Sequence, residues 1–257
     1  MLNPAPIDTV LFDLDGTLTD PQVGITGSYR HALAAVGRPV ADDDDLTWVI
    51  GPPLQENLSL LGVRDDELPA AMDAYRDRHS AQGLYEAELV PGIADLVRSL
   101  DANGFRLALA TAKPVADGEL TLAHFGLDEY FTVIAGNTVE GTLSKAEVVA
   151  GALRQLGAPD PARVVMVGDR RHDIEGGAAN GVTSIGVGWG FAADGELVGA
   201  GADHVVATVA ELDRLLCVLP GATPGATPGA TPGATPDALP DGEWVDRTPA
   251  ASQSIGI

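Results

Sequence analysis

Cysteine, basic residues and long apolar runs are all scarce in this chain. Its 257 residues include one cysteine, Cys217, so no internal disulfide can form. The surrounding Leu215-Leu216-Cys217-Val218-Leu219 places that thiol as core packing rather than as a reactive group. Lysine and arginine total 15 against 37 acidic residues, a net charge of −22. That balance argues against a nucleic-acid backbone or an anionic membrane as partner. A small anionic substrate stays open, because a bound metal and a lysine can reverse the field locally. No apolar stretch approaches the roughly 18 residues needed to span a bilayer. The first residues lack a basic region followed by an apolar run, so no secretory signal is expected and a cytoplasmic location is the simplest expectation.

What the chain does have is 45% hydrophobic residues, enough for a sizeable core, and a conspicuous stretch near its start. Val10-Leu11-Phe12-Asp13-Leu14-Asp15-Gly16-Thr17-Leu18-Thr19-Asp20 opens as a buried parallel strand and ends in acids, a glycine and hydroxyls. In open α/β sheets ligands bind at that carboxyl end. Asp13 and Asp15 stand two apart, so on an extended strand their carboxylates share one side. Two such neighbours repel, and a divalent cation with a preference for oxygen, such as Mg²⁺, relieves the repulsion. One carboxylate can then act as nucleophile and the other as proton donor. Gly16 permits a sharp turn and close ligand approach.

Two further strands end in chemistry. Leu107-Ala108-Leu109-Ala110-Thr111-Ala112-Lys113-Pro114 offers a hydroxyl and helix-start N–H groups that can hold an anion. Val164-Val165-Met166-Val167-Gly168-Asp169-Arg170-Arg171-His172-Asp173 ends in Asp169, with Asp173 able to turn back toward it from a following helix. His172 is expected in a supporting or surface position; Arg170 and Arg171 can help hold anions, although flanking arginines are usually solvated. Between these strands Lys145 opens a helix with Ser144 as its N-cap, against the helix dipole, which favours a role in neutralising phosphate.

The rest of the pattern assigns helices to 23–37, through Leu60 and 66–82, so that 21–88 reads as all-helical. From Pro91-Gly92 onward helices and strands alternate. Helices fall at 93–103, 115–125, 144–156, 172–180 and 209–219, and strands at 105–110, 131–135, 163–167, 183–187 and 204–207. The expected fold is α/β: a doubly wound parallel-sheet, Rossmann-like core (1–20 and 89–219) with an inserted all-helical cap domain (21–88). A cap in that position can close over substrate and exclude water. Residues 220–257 contain Gly-Ala-Thr-Pro four times, ending at Pro236, and read as a disordered C-terminal tail.

These motifs, in this order, resemble the haloacid dehalogenase superfamily in its helical-cap phosphatase branch, over about residues 8–215. Gly24-Ile25-Thr26, Ile50-Gly51-Pro52-Pro53-Leu54, Gly83-Leu84-Tyr85-Glu86, Ala110-Thr111-Ala112-Lys113-Pro114, His124-Phe125-Gly126-Leu127 and Gly168 to Ile174 look like the 5′-nucleotidase-like members, close kin of the phosphoglycolate phosphatases. Ala112 departs from them, since those relatives often carry Ser or Asn there. The resemblance implies that Asp13 is the nucleophile, forming an aspartyl-phosphate, and Asp15 the general acid and then base. It implies that Thr111 and Lys145 hold the transferring phosphoryl group, with Gly16, Thr17 and Ala112 completing the substrate-binding set. It implies Mg²⁺ ligation by Asp13, the main-chain carbonyl of Asp15 and Asp169, with Asp173 in support.

The expected function is therefore Mg²⁺-dependent hydrolysis of a small phosphorylated metabolite, a nucleoside monophosphate or phosphoglycolate, by a monomer or homodimer. Alternatives are a phosphosugar mutase of the β-phosphoglucomutase type and a non-catalytic binding protein on the same fold. A dehalogenase is disfavoured because Asp15 is present. The tail is a candidate tether. Gln55, Arg76 and Tyr85 are candidate specificity residues on the helical insert.

Overall fold

The computed structural model describes residues 7–139 and 141–219. The Gly-Ala-Thr-Pro repeats and the tail, for which disorder was expected, lie outside the described residues.

Six parallel strands form the central sheet. They are β1 (Thr9–Phe12), β4 (Arg106–Pro114), β5 (Phe131–Asn137), β6 (Val164–Gly168), β7 (Thr183–Val187) and β8 (His204–Val206), in spatial order β5-β4-β1-β6-β7-β8. β1 is central: Thr9 pairs with Arg106 on one side and Val164 on the other. Alternation along the strands divides the core into two layers. Val10, Phe12, Leu107, Leu109, Val165 and Val167 face one side. There they meet Leu96 and Leu100 of α4 (Ile93–Ala102) and Leu212 and Leu216 of α9 (Val209–Val218). Leu11, Ala108, Ala110, Val164 and Met166 face the other side, against Val148, Val149 and Ala152 of α6 (Lys145–Gln155). Both faces of the sheet are thus covered, as parallel strands with near-continuous apolar runs require. The expected doubly wound parallel core is the observed one.

Between β1 and β4 the chain makes α1 (Gln22–Ala35), α2 (Leu54–Leu60) and α3 (Leu68–Ala81). These helices share their own apolar cluster, in which Ile25, Tyr29, Leu33, Val49, Ile50, Leu58 and Ala71 are buried. At the junction a two-residue antiparallel ribbon, which sequence periodicity did not signal, joins β2 (Thr19–Asp20) to β3 (Glu88–Leu89). Strands this short carry no readable alternation.

Other differences are local. β4 continues through Thr111 to Pro114, past its expected end at residue 110. A short helix, α8 (Glu196–Gly199), follows β7. Cys217 is exposed, contrary to the expected core position. The helical period of α9 turns Leu212 and Leu216 inward, which leaves residue 217 on the outer side. Among the described residues no helix is long and apolar enough to cross a membrane.

Candidate active site

The carboxyl ends of β1, β4 and β6 lie side by side at the centre of the sheet, and the predicted site residues collect there. Asp13 directly follows β1, its N–H donating to the Val167 carbonyl at 2.9 Å, which carries the ladder one residue past the strand. Its Oδ1 accepts from Lys145 Nζ at 2.6 Å. The same ammonium lies 2.7 Å from Asp173 Oδ1. Lys145 is only 7% exposed at its side chain, and the two carboxylates take the place of its lost water.

The helix that delivers Lys145 is fixed by its own start. Ser144 Oγ accepts the Glu147 N–H, and the Glu147 carboxylate accepts the Ser144 N–H at 2.8 Å, a reciprocal capping box. The expected N-cap at Ser144 is therefore present. Asp173 is placed by the first turn of α7 (Arg171–Ala179), where its Oδ2 accepts the Arg170 N–H at 3.0 Å.

Asp169 is fully buried directly after β6. Its Oδ2 accepts the Phe191 N–H at 2.8 Å, while its Oδ1 has no partner. One carboxylate oxygen each from Asp13, Asp169 and Asp173 lie within 4.8 Å of one another. Burial raises the Asp13 carboxyl to about 6, against the pull of Lys145, which still leaves it ionised at neutral pH. Burial also holds Asp169 well above the carboxylate range, with Asp173 and Asp13 adding repulsion. Burial opposes the charge on Lys145, but Asp13 and Asp173 more than reverse that and hold the ammonium protonated.

Of the three buried acids, two pair with the one lysine, and the third, Asp169, keeps an orphaned buried oxygen. Gly16, at φ +84°, leaves space between the β1 loop and Asp169 that a Cβ would fill, coming within 2.1 Å of Asp169 Oδ2. This hard-oxygen, charge-deficient cluster fits a Mg²⁺ ion. Its candidate ligands are Asp13, Asp169 and Asp173.

Asp15 behaves differently. Its Oδ2 pairs with Lys113 Nζ at 2.8 Å, and its Oδ1 is buried without a partner. Its carboxylate therefore stands outside the acid triad, and burial raises its pKa against the opposing pull of Lys113. Thr111 is buried, its hydroxyl accepting the Lys113 N–H at 3.2 Å, and Ala112 is exposed. Thr17 is fully buried with its hydroxyl unpartnered, and its carbonyl accepts from Trp189 Nε1 at 3.1 Å.

The family model for haloacid dehalogenase-like hydrolases matches residues 10–187. The chain belongs to that family. Among curated relatives, the tyrosine-protein kinase PtkA of Mycobacterium tuberculosis is 43% identical over 207 residues, covering 80% of this chain and 70% of its own. The 5′-nucleotidase of Pseudomonas aeruginosa is 38% identical over 208 residues, covering 80% of this chain and 94% of its own. The crystal structure of a predicted phosphatase from Clostridium acetobutylicum superposes with a TM-score of 0.79 at 37% identity, covering 84% of this chain and all of that one.

Several residues around this candidate centre carry no signal of their own in the sequence. Lys113 was quoted only as part of a strand end. Its spacing of two from Thr111 on an extended strand was the available signal. Arg170 is not solvated, contrary to the expectation for a flanking arginine. Its guanidinium donates to the Ile50 carbonyl of the helical insert and, through Nε at 3.0 Å, to Glu196. His172 is half-buried in the first turn of α7. The candidate specificity residues are dispersed. Arg76 donates to the Val139 carbonyl, Tyr85 packs edge-on against His124 at 5.4 Å, and Gln55 is exposed. A surface hollow of about 610 Å³ beside Val206 and Glu211 lies apart from Asp13, Asp15, Asp169 and Asp173.

Proposed function

We propose that this chain is a Mg²⁺-dependent phosphomonoester hydrolase acting through an aspartyl-phosphate. The observation that carries the proposal is the pairing of two strand-end acids with two different lysines, Asp13 with Lys145 and Asp15 with Lys113. Chemically equivalent carboxylates two residues apart are thereby set in different environments, which is how one fold separates a nucleophile from an acid.

In the proposed sequence the Asp13 carboxylate attacks phosphorus in line as the ester oxygen departs. Asp15 gives that oxygen its proton. Asp15 then takes a proton from water, whose oxygen attacks the aspartyl-phosphate and releases inorganic phosphate, regenerating Asp13. Lys145, Thr111 and Ala112 hold the phosphoryl oxygens, while Gly16 and Thr17, whose N–H groups donate to the Thr19 and Leu14 carbonyls, shape the turn on which the substrate sits. Mg²⁺ held by Asp13, Asp169, Asp173 and the Asp15 carbonyl would supply further charge neutralisation. The insert at 21–88 is the cap that excludes water during transfer. The resemblance to 5′-nucleotidases and phosphoglycolate phosphatases favours a nucleoside monophosphate or phosphoglycolate as substrate.

A second reading rests on the relative named a tyrosine-protein kinase: a phosphoryl group on Asp13 could pass to a tyrosine hydroxyl instead of water. Phosphate release from nucleoside monophosphates, phosphoglycolate, sugar phosphates and phosphotyrosine, with Mg²⁺ and with EDTA, tests the first reading. A parallel reaction with ATP and a tyrosine peptide tests the second. Metal-dependent release from one ester class is expected. Folded protein that releases no phosphate from any ester, yet labels the peptide, overturns hydrolysis in favour of transfer.

A further inference from the structure

The loop after β7 touches three things at once. Trp189 packs against the core cluster on the α4 and α9 side of the sheet, and its Nε1 donates to the Thr17 carbonyl behind the nucleophile turn at 3.1 Å. Two residues later, Phe191 packs instead into the apolar cluster of the helical cap. Between them Gly190 lies so close to the site that a Cβ there would come within 2.3 Å of Asp169 Cβ and 2.5 Å of the Gly16 carbonyl oxygen. The Phe191 N–H then donates to Asp169 Oδ2.

One residue therefore has its side chain in the cap and its N–H on a buried acid of the site. That hydrogen bond fixes which oxygen of Asp169 is occupied, and it leaves Oδ1 as the orphan. The loop's far end is also tied to the cap. Glu196 Oε2 accepts the Ala193 N–H at 3.0 Å, and Glu196 Oε1 accepts Arg170 Nε, whose guanidinium reaches the Ile50 carbonyl. The segment between Trp189 and Glu196 is held at one end by the core, at the other by the Arg170 bridge, and in the middle by Phe191.

We infer that Phe191 is a positioning residue that couples seating of the cap to the orientation of Asp169 toward Mg²⁺. This rests on the metal reading proposed above. If the cap shifts, the Phe191 ring moves with it, and its N–H no longer holds Oδ2. Asp169 then loses the constraint that aims Oδ1. Such linkage is reciprocal, so bound Mg²⁺ should also favour the seated cap. Groups that orient a metal ligand from behind are worth about 10- to 100-fold in affinity.

Calorimetric titration of the full chain with MgCl₂, without substrate, reads this directly. Phe191→Ala keeps the N–H but removes the anchor, and should weaken Mg²⁺ binding by about tenfold. Phe191→Tyr, which keeps an aromatic anchor, should stay within about twofold of the parent, a small fraction of the coupling range. Should Phe191→Ala not fold, Phe191→Leu is titrated in its place and should show a smaller weakening in the same direction. A variant that melts earlier yet binds Mg²⁺ as tightly as the parent overturns the inference, since Phe191 would then be packing alone. A parent chain that binds no Mg²⁺ overturns both this inference and the metal reading, whereas parent binding with unchanged variants overturns only this one.

Discussion

Replacing Lys145 with methionine should expose how the acid cluster is held together. The ammonium sits 2.6 Å from Asp13 and 2.7 Å from Asp173, almost fully buried. Removing one partner of a buried ion pair typically costs about 3–5 kcal/mol, because the remaining charge is stranded. Here two carboxylates are stranded. Even with the lysine present Asp13 is pushed up to about 6 from an ordinary value of 3.8. At about 1.36 kcal/mol per pH unit, its charged form already costs about 3 kcal/mol in the fold. The sign follows from proton uptake. A carboxyl whose folded value lies above its unfolded one stabilises the fold fully below about 3.8, and that stabilisation is lost as pH rises through the folded value. In Lys145→Met the folded value of Asp13 moves higher, so near pH 5.5 that carboxyl is protonated and the deficit shrinks. Urea unfolding of parent and variant near pH 7.5 and pH 5.5, in EDTA and in Mg²⁺, measures this. The expected deficit is about 3–5 kcal/mol near pH 7.5 in EDTA and less than half of that near pH 5.5. A metal concentration of about 100 times a chain's own dissociation constant should add about 2.7 kcal/mol to that chain, so the deficit in Mg²⁺ shrinks to the extent that the variant, freed of the competing ammonium, binds the metal more tightly than the parent. An equal deficit in all four conditions would show that Lys145 contributes packing rather than charge, and would refute the reasoning.

Asp13→Asn should fold normally yet lose about a thousandfold or more in phosphate release, and a variant within about tenfold of the parent would exclude Asp13 as nucleophile. Gly16→Ala should lower stability by at least about 1–2 kcal/mol from its left-handed backbone alone, and by more because Asp169 must move. An unchanged thermal midpoint would contradict the close approach described at Gly16. Native protein should react promptly with a thiol reagent at Cys217 without loss of activity; a thiol protected until denaturation would place Cys217 back in the core.

Much of this site could be read before the fold was known, for a definite reason. Asp13, Thr111 and Asp169 each follow an apolar strand, and parallel strands deliver their carboxyl ends to one edge of the sheet. Lys145 was signalled by its conflict with the helix dipole, and Asp173 by its one-turn spacing from Asp169. The residues that hold these groups were not legible. Lys113 looked like one more strand-end lysine, and its partner Asp15 is 98 residues away. Arg170 resembled any surface arginine, because the Ile50 carbonyl it reaches belongs to a separate helical insert. Phe191 acts through a backbone N–H, which every residue but proline possesses, so no side-chain pattern could mark it. Cys217 was misplaced because an apolar flank says little about which side of a helix faces inward when only every third or fourth position is buried.

The central position of β1 has a consequence for how the protein comes into being. β1 pairs with residues 106–109 on one side and 164–167 on the other, and so waits through the whole helical insert for its first partner and about 55 residues more for its second. The helices of 22–81 contact one another locally and can collapse while β1 waits. An apolar strand left unpaired during synthesis is the segment most exposed to aggregation. Asp13 and Lys145, 132 residues apart, meet only when the sheet closes around that strand. No fragment ending before β6 can therefore assemble the acid cluster, and the site appears in one late step rather than growing with the chain.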